Sequence, residues 1–76
     1  MIFKLIEKRY QLDHVALRAA RMETGLSQSS FATYCRWSSA YQNKLEGGSV
    51  QTLSEQSATI ILDVLRKNNV DIPDLE

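Results

Sequence analysis

Apolar side chains between residues 17 and 48 recur at helical spacing, and the residues that interrupt them are the types that start and stop helices. An Ala-, Arg- and Leu-rich run leads into Gly25, where a helix ends on a residue tolerant of positive φ, and Ser27 follows as the N-cap of the next. Phe31, Ala32 and Cys35 then share one face of a second helix. Ser38 caps a third, which runs through Tyr41 and Leu45 to Glu46 and stops at Gly47 and Gly48. Helices of about two turns are marginal alone, since isolated helices below about 12 residues are barely stable in water. The last two, separated by a turn of roughly three residues, must therefore pack crosswise on other helices, which is the arrangement of a helix-turn-helix.

Outside this stretch, Asp13 is expected to cap the first helix. Thr52, Leu53, Ser54 and Glu55 match a capping box with Thr52 as cap, and Ala58, Ile61, Leu62 and Leu65 follow as the core-facing stripe of a fourth helix. Ile60 and Val64 form a second apolar line, either a dimer surface or a face that a small domain buries internally. Asn68 and Asn69 stop this helix, and Val70, Asp71, Ile72 and Pro73 are extended or begin one further turn. The N-terminal Ile2, Phe3, Leu5 and Ile6 fit neither a clean period of 2 nor a clean helix. This segment is expected to be a separate arm or a short β-strand that adds to the core or pairs with a second chain, with Lys4 and Lys8 discouraging uncontrolled association. The expected fold is all-α: a small bundle of four to five helices over residues 12–69, with an arm or strand at 1–11 and a tail at 70–76.

Seventy-six residues bound the chain to one domain with a thin core, a size that often gains stability by association, so a homodimer is expected. The lone Cys35 excludes an intramolecular disulfide or a cysteine-based zinc cluster within one chain, and a reducing cytoplasm is the simplest compartment. No apolar run is long enough to span a membrane, and charged residues interrupt the N-terminal hydrophobics where a signal peptide would need continuity. The net charge of zero argues mildly against nucleic acid, yet residues 1–46 carry a balance of +3 and residues 47–76 a balance of −3. No nucleophile and base stand in a catalytic pattern, and no Gly-rich phosphate loop occurs. His14, with no second ligand at metal spacing, reads as a surface residue, and Cys35 as a core residue. Neither an enzyme, a cofactor nor a metal site is expected.

Leu17 and Arg21, the run Gly25-Leu26-Ser27-Gln28, Phe31-Ala32, and then Ser38, Tyr41, Lys44, Leu45-Glu46 and Gly48 together resemble the Cro and phage-repressor-like (XRE) helix-turn-helix family over about residues 12–65. The resemblance implies a λ-repressor-like fold and a sequence-specific double-stranded DNA-binding transcriptional regulator, repressor-like, acting as a homodimer on an inverted repeat. It places Ser27 and Gln28 at a phosphate and sets the third helix in the major groove. There Ser38, Ser39 and Asn43 can exchange hydrogen bonds with base edges, Ala40 can touch a thymine methyl, and Lys44 can reach guanine or a phosphate. An ordinary solvated helix face is the plain alternative. The resemblance also pairs Arg21 with Glu46 as a largely buried ion pair of structural role, and gives Tyr41 a packing role at the helix junction.

Two residues depart from the family pattern. Arg36 stands where Gly is usual in the turn, and a non-Gly residue in the left-handed region costs about 1 kcal/mol or more. Gln42 takes a position that is usually Ile or Val and buried, so the helix is rotated, or the amide finds a partner or stays partly wet, with Trp37 available to supply apolar volume. These departures and the neutral charge motivate an alternative: a protein-interaction module, or an antitoxin gripping a toxin through its arm or tail, on the same fold with weak or no DNA binding.

Overall fold

Each helix opens on a side chain that satisfies its first amides. A computed structural model describes residues 2–70 of the chain. Asp13 caps α1 (His14–Thr24) by accepting from Ala16 N–H, and Ser27 caps α2 (Gln28–Cys35) by accepting from Ser30 N–H. Ser38 does the same for α3 (Ser39–Gly47) through Tyr41 N–H, and Ser54 for α4 (Glu55–Lys67) through Ser57 N–H. The fourth cap corrects the expected capping box. Thr52 lies in a strand instead, opposite Gln11, and the helix begins two residues later than a Thr52 cap would set it.

The expectation of an all-α bundle is also corrected. Ahead of α1 the chain forms a hairpin, β1 (Phe3–Ile6) and β2 (Arg9–Leu12), and the short β3 (Thr52–Leu53) adds to its far side, giving a three-stranded antiparallel sheet in the order β1-β2-β3. The N-terminal segment is therefore not a separate arm. Phe3, Tyr10, Leu12 and Leu53 are buried in the same core as Leu17, Phe31, Leu45, Ile61 and Leu65, and the Phe3 and Tyr10 rings meet edge to face with centroids 6.5 Å apart. Period-2 alternation is clean only in β2, where Tyr10 and Leu12 point inward and Arg9 and Gln11 outward. In β1 the inward-facing Leu5 overhangs the rim of the core and remains 47% exposed, and the outward-facing Ile6 is 44% exposed, which is why that segment carries no clear period.

Along α4 the stripe of Ala58, Ile61, Leu62 and Leu65 is buried as its spacing requires. Val64 is also buried in the chain's own core, and Ile60 is half-buried against it, so a second copy would reach only part of this line. Asn68 ends the helix and Asn69 takes a positive φ of 67°. Val70 is buried, and the remainder of the expected extended tail, Asp71, Ile72 and Pro73, lies outside the described residues. No helix among the described residues is long and apolar enough to cross a membrane.

Arg36 occupies the left-handed conformation directly, at φ 66° and ψ 36°, and its N–H closes α2 onto the carbonyls of Ala32 and Thr33. The turn keeps the shape that glycine would give it and bears the steric penalty of a Cβ. Arg36→Gly is therefore expected to raise stability by about 0.5–1 kcal/mol, the left-handed penalty relieved outweighing the unfolded-state entropy that glycine adds. Chemical denaturation with an unchanged m-value checks it; a lower midpoint would show that the arginine side chain contributes more than its backbone costs.

Candidate nucleic-acid interface

Three residues, Arg36, Trp37 and Ser38, join α2 to α3, and the second helix of the pair turns two faces in opposite directions. Gln42, Leu45 and Glu46 are buried, whereas Ser39, Ala40, Asn43 and Lys44 are exposed together on the other side. Ser27 and Ser38 are exposed at the starts of α2 and α3, their hydroxyls engaged in the caps, and Ser27 Oγ also donates to Ser30 Oγ at 3.2 Å. Gln28, on the first turn of α2, is half-buried. The proposed contact residues thus lie along the start of α2 and the outer face of α3.

Beneath that face runs a connected polar network centred on Glu46. Arg21 Nε donates to Glu46 Oε2 at 2.8 Å, with the two side chains only 11% and 2% exposed, and Arg21 Nη1 donates to the Leu26 carbonyl at 2.8 Å. The guanidinium thereby ties α1 both to α3 and to the entry of α2. Gln42 Nε2 donates to the same Glu46 oxygen at 2.7 Å, and Gln28 Nε2 donates to Oε1 at 3.2 Å. Burial pushes the Glu46 carboxyl up, but the bonds from Arg21, Gln42 and Gln28, together with the Arg21 charge, outweigh it and hold the group below its ordinary value. Glu46 is ionised at neutral pH, and every buried side-chain polar atom among the described residues has a partner.

Gln42 has found partners at both ends of its amide. Trp37 Nε1 donates to Gln42 Oε1 at 2.9 Å, so the amide bridges the interhelix turn to Glu46 and is fully buried with a partner for its oxygen and for its nitrogen. Tyr41 packs its ring edge-on against Trp37, with centroids 5.3 Å apart, and covers the junction. The network reaches the surface through Asn43, whose Nδ2 donates to Gln28 Oε1 at 3.3 Å. Asn43 on α3 and Gln28 on α2 are therefore held relative to each other before any ligand arrives. Fixing such side chains in advance reduces the entropy lost on binding.

His14 corrects a further expectation. It is half-buried rather than a free surface residue, with Nδ1 donating to the Glu46 carbonyl at 3.1 Å, and it lies beside Gly48 at the end of α3. Gly48 has a φ of 87°, a backbone conformation that favours glycine, and a Cβ there would press on the imidazole at 3.1 Å. Sequence reasoning missed the His14 contact, the Trp37–Gln42 bond and the Asn43–Gln28 bond. These residues were singled out one by one, Glu46 included, but which of them meet is set by how the side chains pack. Cys35 is buried in the core, and desolvation pushes its thiol up to about 12, which makes it unreactive at neutral pH. Compared with protein-family models, curated proteins and solved structures, the chain matches none.

Proposed function

We propose that this chain is a sequence-specific double-stranded DNA-binding transcriptional regulator of the XRE helix-turn-helix type. It binds as a homodimer to an inverted repeat, with α3 in the major groove and half-sites about one helical turn apart. The observation that carries the reading is the two-sided build of α3. Its inner face is anchored through Glu46 to α1 and α2, while its outer face offers a small hydroxyl, a methyl, an amide and a cation at Ser39, Ala40, Asn43 and Lys44. These groups match the chemistry of base edges and phosphates in a groove wide enough for a helix. Gln28 and the start of α2 lie beside Asn43 and face the phosphate backbone in this reading.

Selection of bound duplexes from random sequence, followed by fluorescence anisotropy at two salt concentrations, tests it. A palindromic site whose affinity falls as salt rises is the expected result. A folded protein that enriches no sequence would overturn the reading in favour of a protein partner. Lys44→Ala is expected to weaken binding by about 1 kcal/mol, roughly fivefold, with similar losses on specific and non-specific duplexes if the amine meets a phosphate and a shallower salt slope by about one. Because Lys44 is exposed, the melting temperature should stay within about 2 °C of wild type. A large fall in melting temperature would instead place this side chain in the fold rather than on the DNA.

A further inference from the structure

The sheet has an open edge with an unusual composition. β1 has β2 on one side and no strand on the other among the described residues, and α4 packs over β2 and β3. Asp13 N–H donates to the Ile2 carbonyl, while Leu12 N–H turns the opposite way, to the Gln51 carbonyl. By the alternation of an antiparallel ladder, Ile2, Lys4 and Ile6 then bond inward to β2, and Phe3 and Leu5 direct their N–H and C=O groups at the open edge. Leu5 and Ile6, two of the five exposed large apolar residues among those described, sit on that same strand.

We infer that β1 is the interface between two copies of this chain, the two edges pairing antiparallel about a two-fold axis through Leu5 to form one continuous sheet. The partner is a second copy because the strand complements itself. A two-fold axis normal to the sheet keeps every residue on its own face, so only residues of like facing can lie opposite one another. Centred on Leu5, the two Leu5 side chains meet on the helix-bearing face beyond the rim of the core, and Lys4 lies along Ile6 of the other copy on the outer face. Leu5 is also a residue whose amide and carbonyl are free to exchange bonds with its mate. Centring on Lys4 would set two ammonium groups opposite each other, which is destabilising. Centring on Ile6 would leave the outward groups of Leu5 to bond Glu7, a residue of the hairpin turn at φ 56°, and centring on Phe3 would carry Leu5 and Ile6 past Ile2, the first described residue of the other copy. The outward N–H row, the exposed leucine and the charge pattern select the same register.

This inference rests on the homodimer in the functional reading but not on DNA contact, and its test contains no DNA. Sedimentation of the full chain over a micromolar to millimolar series, with amide hydrogen exchange, should show a dimer in which exchange at Leu5 slows as concentration rises. Leu5→Pro removes the outward N–H without touching the β1–β2 ladder, so a folded variant should dimerise roughly thirtyfold more weakly, two symmetric amide bonds being lost. Ile60→Glu should leave the dimer intact. A wild-type chain that stays monomeric, or a dimer that persists unweakened in folded Leu5→Pro, would overturn the assignment. Should circular dichroism show Leu5→Pro unfolded, Leu5→Lys is read by the same criteria, and if neither folds, the concentration dependence of Leu5 exchange in the wild type decides alone.

Discussion

Glu46→Ala is expected to destabilise the fold by about 3–5 kcal/mol, because it removes one partner of a buried pair and leaves the other charged group without an anion. Three donors lose their acceptor together: Arg21 Nε, Gln42 Nε2 and Gln28 Nε2. Arg21 is only 11% exposed and retains the Leu26 carbonyl alone, so its guanidinium stays largely desolvated without a counter-charge. For a domain of this size the loss corresponds to a fall in melting temperature of roughly 15–30 °C, most of the stability that such a chain has. A variant that melted within a few degrees of wild type would show that the network orients helices without holding the fold together. In that case, on the proposed reading, DNA affinity rather than stability should be the property that collapses.

The same carboxylate sets a pH dependence whose sign follows from its lowered folded value. In the unfolded chain Glu46 protonates over the ordinary glutamate range, whereas in the folded chain it stays ionised to lower pH. Its contribution is therefore fully present above the ordinary range and is lost as pH falls through the lower folded value. The stability gap between wild type and Glu46→Gln, measured by denaturant unfolding, should be constant near neutrality and narrow on acidification. A gap that widened in acid would mean that burial, not the hydrogen bonds from Arg21, Gln42 and Gln28, governs the group.

What could be read along the chain, and what could not, divides by the range of the interactions. Asp13, Ser27 and Ser38 cap within three residues, and Gly25 and Gly48 end helices within the same turn, so the bounds of α1, α2 and α3 are local properties. The hairpin is different. Its two-residue turn is Glu7 and Lys8, with Glu7 at φ 56°, and neither residue is of the Asn or Gly type that marks such turns. Tertiary packing of Phe3, Tyr10 and Leu12 on the helices holds a turn that local preference would not choose. Likewise both Thr52 and Ser54 suit a cap, and the pairing of Thr52 with Gln11, from the far end of the chain, determines that Ser54 takes the role. At the candidate site the ion pair of Arg21 and Glu46 came from the family resemblance. The fate of Gln42 depended on a Trp37 indole whose N–H, and not only its apolar volume, turned out to matter.

Through that indole the departure at Gln42 is tolerated. Gln42→Leu restores the apolar residue type usual at this position in the family that the chain resembles, yet it is expected to cost about 1–3 kcal/mol here. The amide is fully buried, and its removal leaves Trp37 Nε1 without an acceptor and takes one of three side-chain donors from Glu46. Leucine fills nearly the same space, so the loss comes from the stranded polar atoms rather than from a cavity. Trp37→Phe in the same background removes the orphaned N–H, and the double variant should therefore be less destabilised than the two single changes added together, by about 1 kcal/mol or more. Strict additivity in chemical denaturation would show that the Trp37–Gln42 bond contributes nothing to the turn. A positive coupling makes Gln42 and Trp37 one polar unit, joined through Glu46 to the anchor that aims α3 outward.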